Sequence, residues 1–168
     1  MKDLNFRAID DFELENKTVL LRVDINSPVE EGRVILSDRI KEHSKTIREL
    51  SEKGAKVVIL AHQGRPGDED FTKMEQHARL LAKCIGKDVK YVDDVCGKKA
   101  QKQIKRLKKG EILLLENVRM NEDEMKDVTA EEHAKSSLVR NLAPLAQLFV
   151  SDAFSVAHRA QASVVGFA

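Results

Sequence analysis

The residues of this sequence that could bind or polarise a ligand lie mostly just after its short apolar runs. Arginine is prominent among them, because its planar guanidinium donates two parallel charge-assisted hydrogen bonds to a phosphate or a carboxylate. Four arginines in one cleft indicate a compact ligand with more than one anionic group. The group consists of Asp24, Asn26, Arg39, His62, Gly64, Arg65, Glu116, Asn117, Arg119, Asp152, His158 and Arg159.

Each of these residues also has a purely structural interpretation. Taken alone, Arg39 is more typical of a surface helix residue that pairs with a neighbouring carboxylate. Asp24 could cap a helix or brace a loop, and His62 and His158 could bond to backbone groups at the edge of the core. Only the joint placement of the group, after successive strands, favours a binding site.

Five short apolar runs predict the strands that position this group. The runs are nearly continuous in apolar character and do not alternate, which is typical of strands covered on both faces of a parallel sheet. They are Val19 to Val23, Val57 to Leu60, Val89 to Val92, Ile112 to Leu115 and Leu148 to Val150.

Amphipathic segments between the strands predict helices. One covers residues 38–53, with Ser37 or Asp38 as its N-cap and Gly54 as a left-handed stop. Another covers residues 98–109.

Two further helices are predicted from capping boxes, in which Ser or Thr is followed three residues later by Glu. Thr72 with Glu75 precedes one amphipathic run, and Thr129 with Glu132 precedes another. Pro144 should end or kink the second of these helices.

The alternation of strands and helices predicts a doubly wound, Rossmann-like α/β fold, with a parallel sheet between two helix layers. Ligands of such sheets bind beyond the carboxyl ends of the strands, where loops converge and helix N-termini point their dipoles. No linker or repeat interrupts the sequence, so we expect a single domain over residues 1–168.

Composition argues against several functional classes. The formal net charge of +1 provides no global field for attracting nucleic acid. No apolar run could span a bilayer, the N-terminus lacks a signal-peptide core, and Cys84 and Cys96 fit neither a disulfide framework nor a zinc site. We expect a soluble, cytoplasmic protein that binds neither membranes nor nucleic acid. Metal-ligand spacings and nucleotide-binding glycine loops are missing, so no metal or cofactor is expected on this chain.

Four ordered motifs resemble the substrate loops of phosphoglycerate kinase. They extend over nearly the whole chain, and the variants Ile25, Ser27 and Gln63 resemble archaeal members more than bacterial or eukaryotic ones. The motifs are RVDINSP at 22–28, AHQGRP at 61–66, LENVR at 115–119 and SDAFSVAHRA at 151–160.

The resemblance implies a role for each substrate residue. Asp24 and Asn26 would contact the glycerate part of 3-phosphoglycerate. Arg39 would reach the reacting carboxylate and serve as the catalytic residue. The phosphate would be surrounded by His62, Arg65, Arg119 and Arg159. His158, which precedes Arg159, is also expected among the substrate-binding residues.

The resemblance also implies a glycolytic enzyme that transfers a phosphoryl group reversibly between ATP and 3-phosphoglycerate, giving ADP and 1,3-bisphosphoglycerate. This chain would be the N-terminal substrate-binding domain. Mg-ATP or Mg-ADP would bind a C-terminal domain that the chain lacks, so the chain alone is expected to hold 3-phosphoglycerate or 1,3-bisphosphoglycerate and to be inactive. No general base is needed, because the attacking carboxylate is ionised at neutral pH.

Alternatives from other classes stay open. One is a free-standing anion-binding module, and another is a nucleic-acid binder that uses the basic segment 98–109. A solvated helix face also explains that segment, and Tyr91 is the only tyrosine available for base stacking. A hydrolase built on Ser151, Asp152 and His158 lacks a Gly-x-Ser-x-Gly elbow.

Overall fold

The structure, a computed structural model, describes residues 7–168, so the predictions made for the first six residues lie outside it. Its strands are β1 (Thr18–Val23), β2 (Val29–Glu30), β3 (Arg33–Val34), β4 (Lys56–Leu60), β5 (Lys90–Tyr91), β6 (Ile112–Leu114) and β7 (Leu148–Asp152). Five of them form a parallel sheet in the order β5-β6-β4-β1-β7. Arg22 of β1 lies in register with Leu60 of β4 and Ser151 of β7, so the loops that follow leave from one edge.

Helices cover both faces of this sheet. They are α1 (Asp38–Glu52), α2 (Glu75–Ile85), α3 (Lys98–Arg106), α4 (Ala130–His133), α5 (Ser137–Leu142) and α6 (Ala162–Val165), with 3₁₀ turns at 9–11, 118–120, 143–145 and 154–156. Among the described residues, none of the helices combines the length and the apolar character needed to cross a bilayer.

Side chains on the two faces of the sheet pack into separate cores. Leu21 packs in one core with Ile47 of α1 and Leu81 of α2. Leu20, the next residue along β1, packs in the other core with Ile104 of α3. Burial on both faces explains why the strands read as continuous apolar runs, and it confirms the predicted doubly wound α/β fold.

The edges of the sheet depart from the predicted pattern. The apolar residues of β7, Leu148 to Val150, are only partly buried, because β7 is an edge strand. The β2–β3 hairpin was not predicted. Its turn residues Glu31 and Gly32 both have positive φ, 48° and 75°, the combination that a two-residue hairpin turn requires.

The start of α1 is capped as the sequence predicts. The Ser37 hydroxyl accepts a hydrogen bond from the Ile40 amide, and Gly54, just past the helix, has φ 82°. The predicted capping box of α2 is wrong, since Thr72 donates to the Lys73 carbonyl. The Met74 amide at that helix start is bound by the Glu116 carboxylate, at 2.9 Å. A buried tertiary partner therefore replaces the local cap.

The segment after Thr129 also differs from the prediction of one continuous helix. The capping box of Thr129 and Glu132 is present, but α4 ends after a single turn at His133. A second cap, the Ser136 hydroxyl, accepts from the Val139 amide and starts α5 as a separate helix. Local caps compete with helix propagation here, because Ser side chains bond readily to nearby backbone groups.

Candidate functional site

A cavity of about 310 Å³ opens at the carboxyl edge of the sheet. Loops that follow β1, β4, β6 and β7 meet there, together with the first turn of α1. Its lining consists of Asp24, Asn26, Arg39, His62, Gly64, Arg65, Asp68, Asp70, Arg119, Ser155, Val156 and Arg159. Seven of the eight substrate-binding residues expected from the sequence therefore lie in one cavity.

The arginines of the cavity keep donors free for a ligand. Within residues 7–168, the side chains of Arg65 and Arg159 have no hydrogen-bond or ion-pair partner. Arg119 is buried and donates from Nη1 to the Gly64 carbonyl at 2.6 Å, but its Nε has no partner among those residues. A buried guanidinium with unmatched donors is stabilised by an anion.

The arginines also repel one another across the cavity. Burial lowers the pKa of Arg119, and the charges of Arg159 and Arg65 lower it further. The carboxylates of Glu124 and Asp24 oppose this effect. An oxyanion placed between the guanidinium groups would relieve the repulsion, which is the physical basis for anion binding here.

His62 is a neutral member of this cluster. Burial lowers its pKa to about 3, and the nearby charges of Arg22 and Arg119 add to the shift. Its Nδ1 lies 2.9 Å from Nη2 of Arg22, a group that can only donate. The ring proton therefore lies on Nε2, and His62 can offer a ligand a neutral hydrogen-bond donor.

Asp24 is the acceptor that balances this group of donors. Its Oδ1 accepts from the Asn26 amide at 3.1 Å, and its Oδ2 accepts from Arg39 Nη1 at 2.9 Å and from the Ser155 hydroxyl. Burial alone would raise the pKa of Asp24, but these donors outweigh it and hold the pKa below its ordinary value. Asp24 is therefore an ionised acceptor at neutral pH.

A buried amide joins the loops after β1 and β4. Gln63 donates to the Ser27 carbonyl and accepts from the Ser27 amide, both at 2.9 Å. The same Gln63 oxygen lies 2.9 Å from Nε2 of His77 in α2, so that nitrogen carries a proton. Asn117 donates to the Gln63 carbonyl at 2.8 Å and adds the loop after β6. The cavity walls are thus fixed by side-chain to backbone bonds.

Gly64 is where two of the loops approach most closely. Its amide donates to the Asn26 side chain at 2.7 Å, and its φ is 68°. A Cβ at this position would lie 2.7 Å from the carbonyl of Asp70. Both the conformation and the space therefore require glycine.

His158 is the predicted site residue that does not line the cavity. It is exposed, whereas its neighbour Arg159 is half-buried and faces the ligand space. Asp152 contacts His43 of α1 at 3.1 Å rather than His158. The arrangement needed for the hydrolase alternative is therefore not formed.

Some residues contribute differently from what the sequence suggested. Glu116 and Asn117 are buried beneath the loops and do not line the cavity. Their side chains bond to backbone groups of the protein, the Asn117 amide and the Thr72 carbonyl among them. Three further residues that line the cavity, Ser155, Asp68 and Asp70, are not predicted from the sequence. Ser155 lies within the motif at 151–160, so the motif could have indicated it as a site residue. No motif marks the two aspartates.

The arginines that line the cavity give it a chemistry that suits anions. Within the described part of the chain, no three His, Cys, Asp or Glu side chains group as metal ligands.

The basic segment forms α3, which buries Ala100 and Ile104 and exposes its lysines. Its pattern is that of an amphipathic surface helix, and a nucleic-acid role for it stays untested.

Fold and site together define a class of protein, a doubly wound α/β domain with an arginine-lined cleft at the carboxyl edge of its sheet. The family model for phosphoglycerate kinase matches residues 9–168. The chain belongs to the phosphoglycerate kinase family.

Comparisons with relatives agree with this assignment. Phosphoglycerate kinases of Saccharolobus solfataricus and Methanobacterium bryantii are 49% and 52% identical over 168 and 167 residues, 99% and 98% of this chain. The crystal structure of phosphoglycerate kinase from Pyrococcus horikoshii OT3 is 47% identical with a TM-score of 0.92 over 95% of the chain. The predicted archaeal resemblance is confirmed by these relatives.

The chain matches only part of the length of each of these relatives. The chain covers 41% of each of the two sequence relatives and 39% of the Pyrococcus horikoshii chain. It also covers 39% of phosphoglycerate kinase from Coxiella burnetii, which is 35% identical with a TM-score of 0.77. The chain therefore spans about two fifths of the length of the relatives it matches.

The replacement Gly64→Ala tests whether the close loop approach holds the site together. We expect a loss of roughly 2 kcal/mol or more in the free energy of unfolding, because strain at positive φ adds to a clash with backbone. Gly86→Ala is the matched control, since Gly86 has φ 74° and open space around its missing Cβ. Equal losses for the two variants in urea unfolding would contradict the proposed clash.

The stability of the chain should fall in mild acid because two buried histidines stay neutral. Burial lowers the pKa of His77 to about 4 and that of His62 to about 3, from an ordinary value of 6.5. Below 6.5 the unfolded chain binds protons that the native state does not. The free energy of unfolding then decreases by up to about 1.4 kcal/mol per pH unit for each histidine.

The variant His77→Gln isolates one of these contributions. Its destabilisation relative to the wild type should be largest near pH 7 and should shrink as the pH falls toward about 4.5. Urea unfolding across this range measures both free energies. Parallel curves for the two proteins would show that His77 is not held neutral.

Proposed function

We propose that this chain forms the 3-phosphoglycerate site of a phosphoglycerate kinase. In the longer enzyme, a phosphoryl group would pass reversibly between ATP and 3-phosphoglycerate, giving ADP and 1,3-bisphosphoglycerate. The observation that carries the proposal is the convergence of four arginines, His62, Asp24 and Asn26 on one cavity in a member of this family.

The cavity offers each part of the substrate a matching group. The phosphate would lie among Arg65, Arg119 and Arg159, with Nε2 of His62 as a further donor. Asp24 and Asn26 would bind the glycerate part, since an ionised carboxylate accepts from a hydroxyl. His158 is left out of this ligand set because it is exposed outside the cavity.

Arg39 is proposed as the catalytic residue. Its side chain is 54% exposed and pairs with Asp24, so it would be free to turn toward a bound carboxylate. The acceptor is already ionised, so the chemistry requires in-line positioning and neutralisation of charge on the transferring group. Arg39 would supply that positive charge.

The nucleotide is assigned to the part of the enzyme beyond this chain. Mg-ATP or Mg-ADP would bind a second, C-terminal domain, as the family resemblance implies. Relatives about two and a half times longer are consistent with such a domain. The chain would then be the N-terminal substrate domain of a cytoplasmic enzyme and would not turn over alone.

Arg65→Ala tests substrate binding by the chain. We expect 3-phosphoglycerate to bind about 10-fold to 100-fold more weakly, because a charge-assisted hydrogen bond contributes roughly 1.5 to 3 kcal/mol. Arg65 is exposed at the rim, so its removal should leave the fold intact. Isothermal titration calorimetry provides the affinities.

The matched control is Arg79→Ala. Arg79 lies on the exposed face of α2, where it pairs with Glu75 at 2.6 Å and does not line the cavity. Its removal should leave the affinity unchanged. An equal loss in both variants, or no binding by the wild type, would refute the proposed site.

Arg39→Ala tests catalysis in a full-length family member that carries this chain. Turnover should fall on the order of 100-fold to 1,000-fold, as for the loss of an oxyanion donor, with a smaller change in the KM for 3-phosphoglycerate. A coupled assay measures both constants, and the isolated chain should show no turnover in it. Near-normal kcat in the variant would contradict the catalytic role.

A further inference from the structure

Arg22 is a charged residue at the centre of an apolar sheet. It lies in β1 between Leu21 and Val23 and is fully buried. Its guanidinium donates from three nitrogens: Nε to the Ser163 hydroxyl at 2.8 Å, Nη1 to the Val23 carbonyl, and Nη2 to His62 Nδ1 at 2.9 Å. Burial lowers its pKa to about 10, so it stays charged at neutral pH.

Ser163 connects this guanidinium to a buried carboxylate. Its hydroxyl accepts from Arg22 Nε and can therefore give its own proton to Oε1 of Glu124. The Ser163 amide donates to Oε2 of Glu124 at 2.8 Å. Burial raises the pKa of Glu124, while Ser163 and the charge of Arg22 oppose the shift. Arg22, Ser163 and Glu124 form what we call the buried relay.

The buried relay contacts the cavity through His62, which bonds to Arg22 and lines the cavity. Four charged groups face the imidazole: Arg22 from β1, Asp24 from the following loop, Arg119 from the 3₁₀ turn at 118–120, and Arg159 from the segment after β7. Because Arg22 can only donate, Nδ1 must accept, and the opposite nitrogen must carry the proton.

We propose that Arg22, Ser163 and Glu124 act as positioning residues that fix His62 as the Nε2–H tautomer, so that it binds the ligand's oxyanion as a neutral donor. The relay itself rests on the hydrogen bonds of these residues, and its effect on a ligand rests on the proposed function. Ser163 is the link on which the relay depends, because its hydroxyl accepts from Arg22 Nε and donates to Glu124, and so holds the guanidinium where its Nη2 meets His62 Nδ1.

Stability alone does not account for this arrangement. Removing two charges from water is expensive, and apolar residues of similar volume often stabilise a core as well as a buried ion pair does. A buried polar network does fix geometry when all its members are satisfied. The relay meets that condition and joins β1, the segment before α4 and α6 to the one histidine that lines the cavity.

The tautomer can be read directly in the wild-type chain. Long-range proton-nitrogen NMR correlations of the His62 ring distinguish the two neutral tautomers and the imidazolium. We expect a single Nε2–H form that does not titrate between about pH 5 and pH 8. An Nδ1–H form, a mixture of tautomers, or protonation within this range would overturn the proposal.

The variant Ser163→Ala tests the relay, with Ser44→Ala as its control. Ser44 is also a buried serine, but its hydroxyl donates to the Ile40 carbonyl outside the relay. Ser163→Ala should mix the His62 tautomers and weaken sulfate binding by about 10-fold, and Ser44→Ala should do neither. The same response from both variants, or an unchanged tautomer in Ser163→Ala, would overturn the relay.

Failures of the two proposals can be told apart. If Ser163→Ala does not fold, the wild-type spectrum still decides the tautomer. A wild type with the expected tautomer that fails to bind 3-phosphoglycerate would overturn the proposed function and leave the relay standing.

Discussion

Repulsion between the guanidinium groups around His62 sets the electrostatic character of the cavity. Arg22 and Arg119 are buried there, and Arg65 and Arg159 add their charge at the rim. The protein offsets the charge with few acceptors and keeps His62 neutral, so that no further proton enters the cluster. Guanidinium donors that have no partner among residues 7–168 would be matched by a multiply charged anion in the cavity.

The polar groups beneath the cavity keep this cluster in place without a ligand. Gln63, Asn117 and Glu116 bind backbone groups of three loops, and each lies within the protein. Buried networks whose members are all satisfied in this way rigidify the backbone around them. Arg39 differs, since it is exposed and held by one ion pair. The cavity thus combines side chains held by buried hydrogen bonds with one exposed arginine.

Local signals predicted elements well where local physics decides them. The apolar runs predicted five strands, and Ser37 and Gly54 predicted the limits of α1. The Thr72 cap failed because Glu116, distant in the chain, holds the start of α2. His158 and Arg159 were predicted as a pair, yet only Arg159 lines the cavity. Sequence spacing alone does not show which of two neighbours turns inward.

By itself the sequence determined the fold class and the sheet edge that gathers the polar residues, because continuous apolar runs alternating with helices reflect short-range rules. The family followed from the resemblance of four ordered motifs. Tertiary structure alone decided the pairing of Arg22 with His62, the bridge from Ser163 to Glu124, and the contact of Ser155 with Asp24. These contacts join residues far apart in the chain. Their geometry exists only after the sheet has brought the loops together.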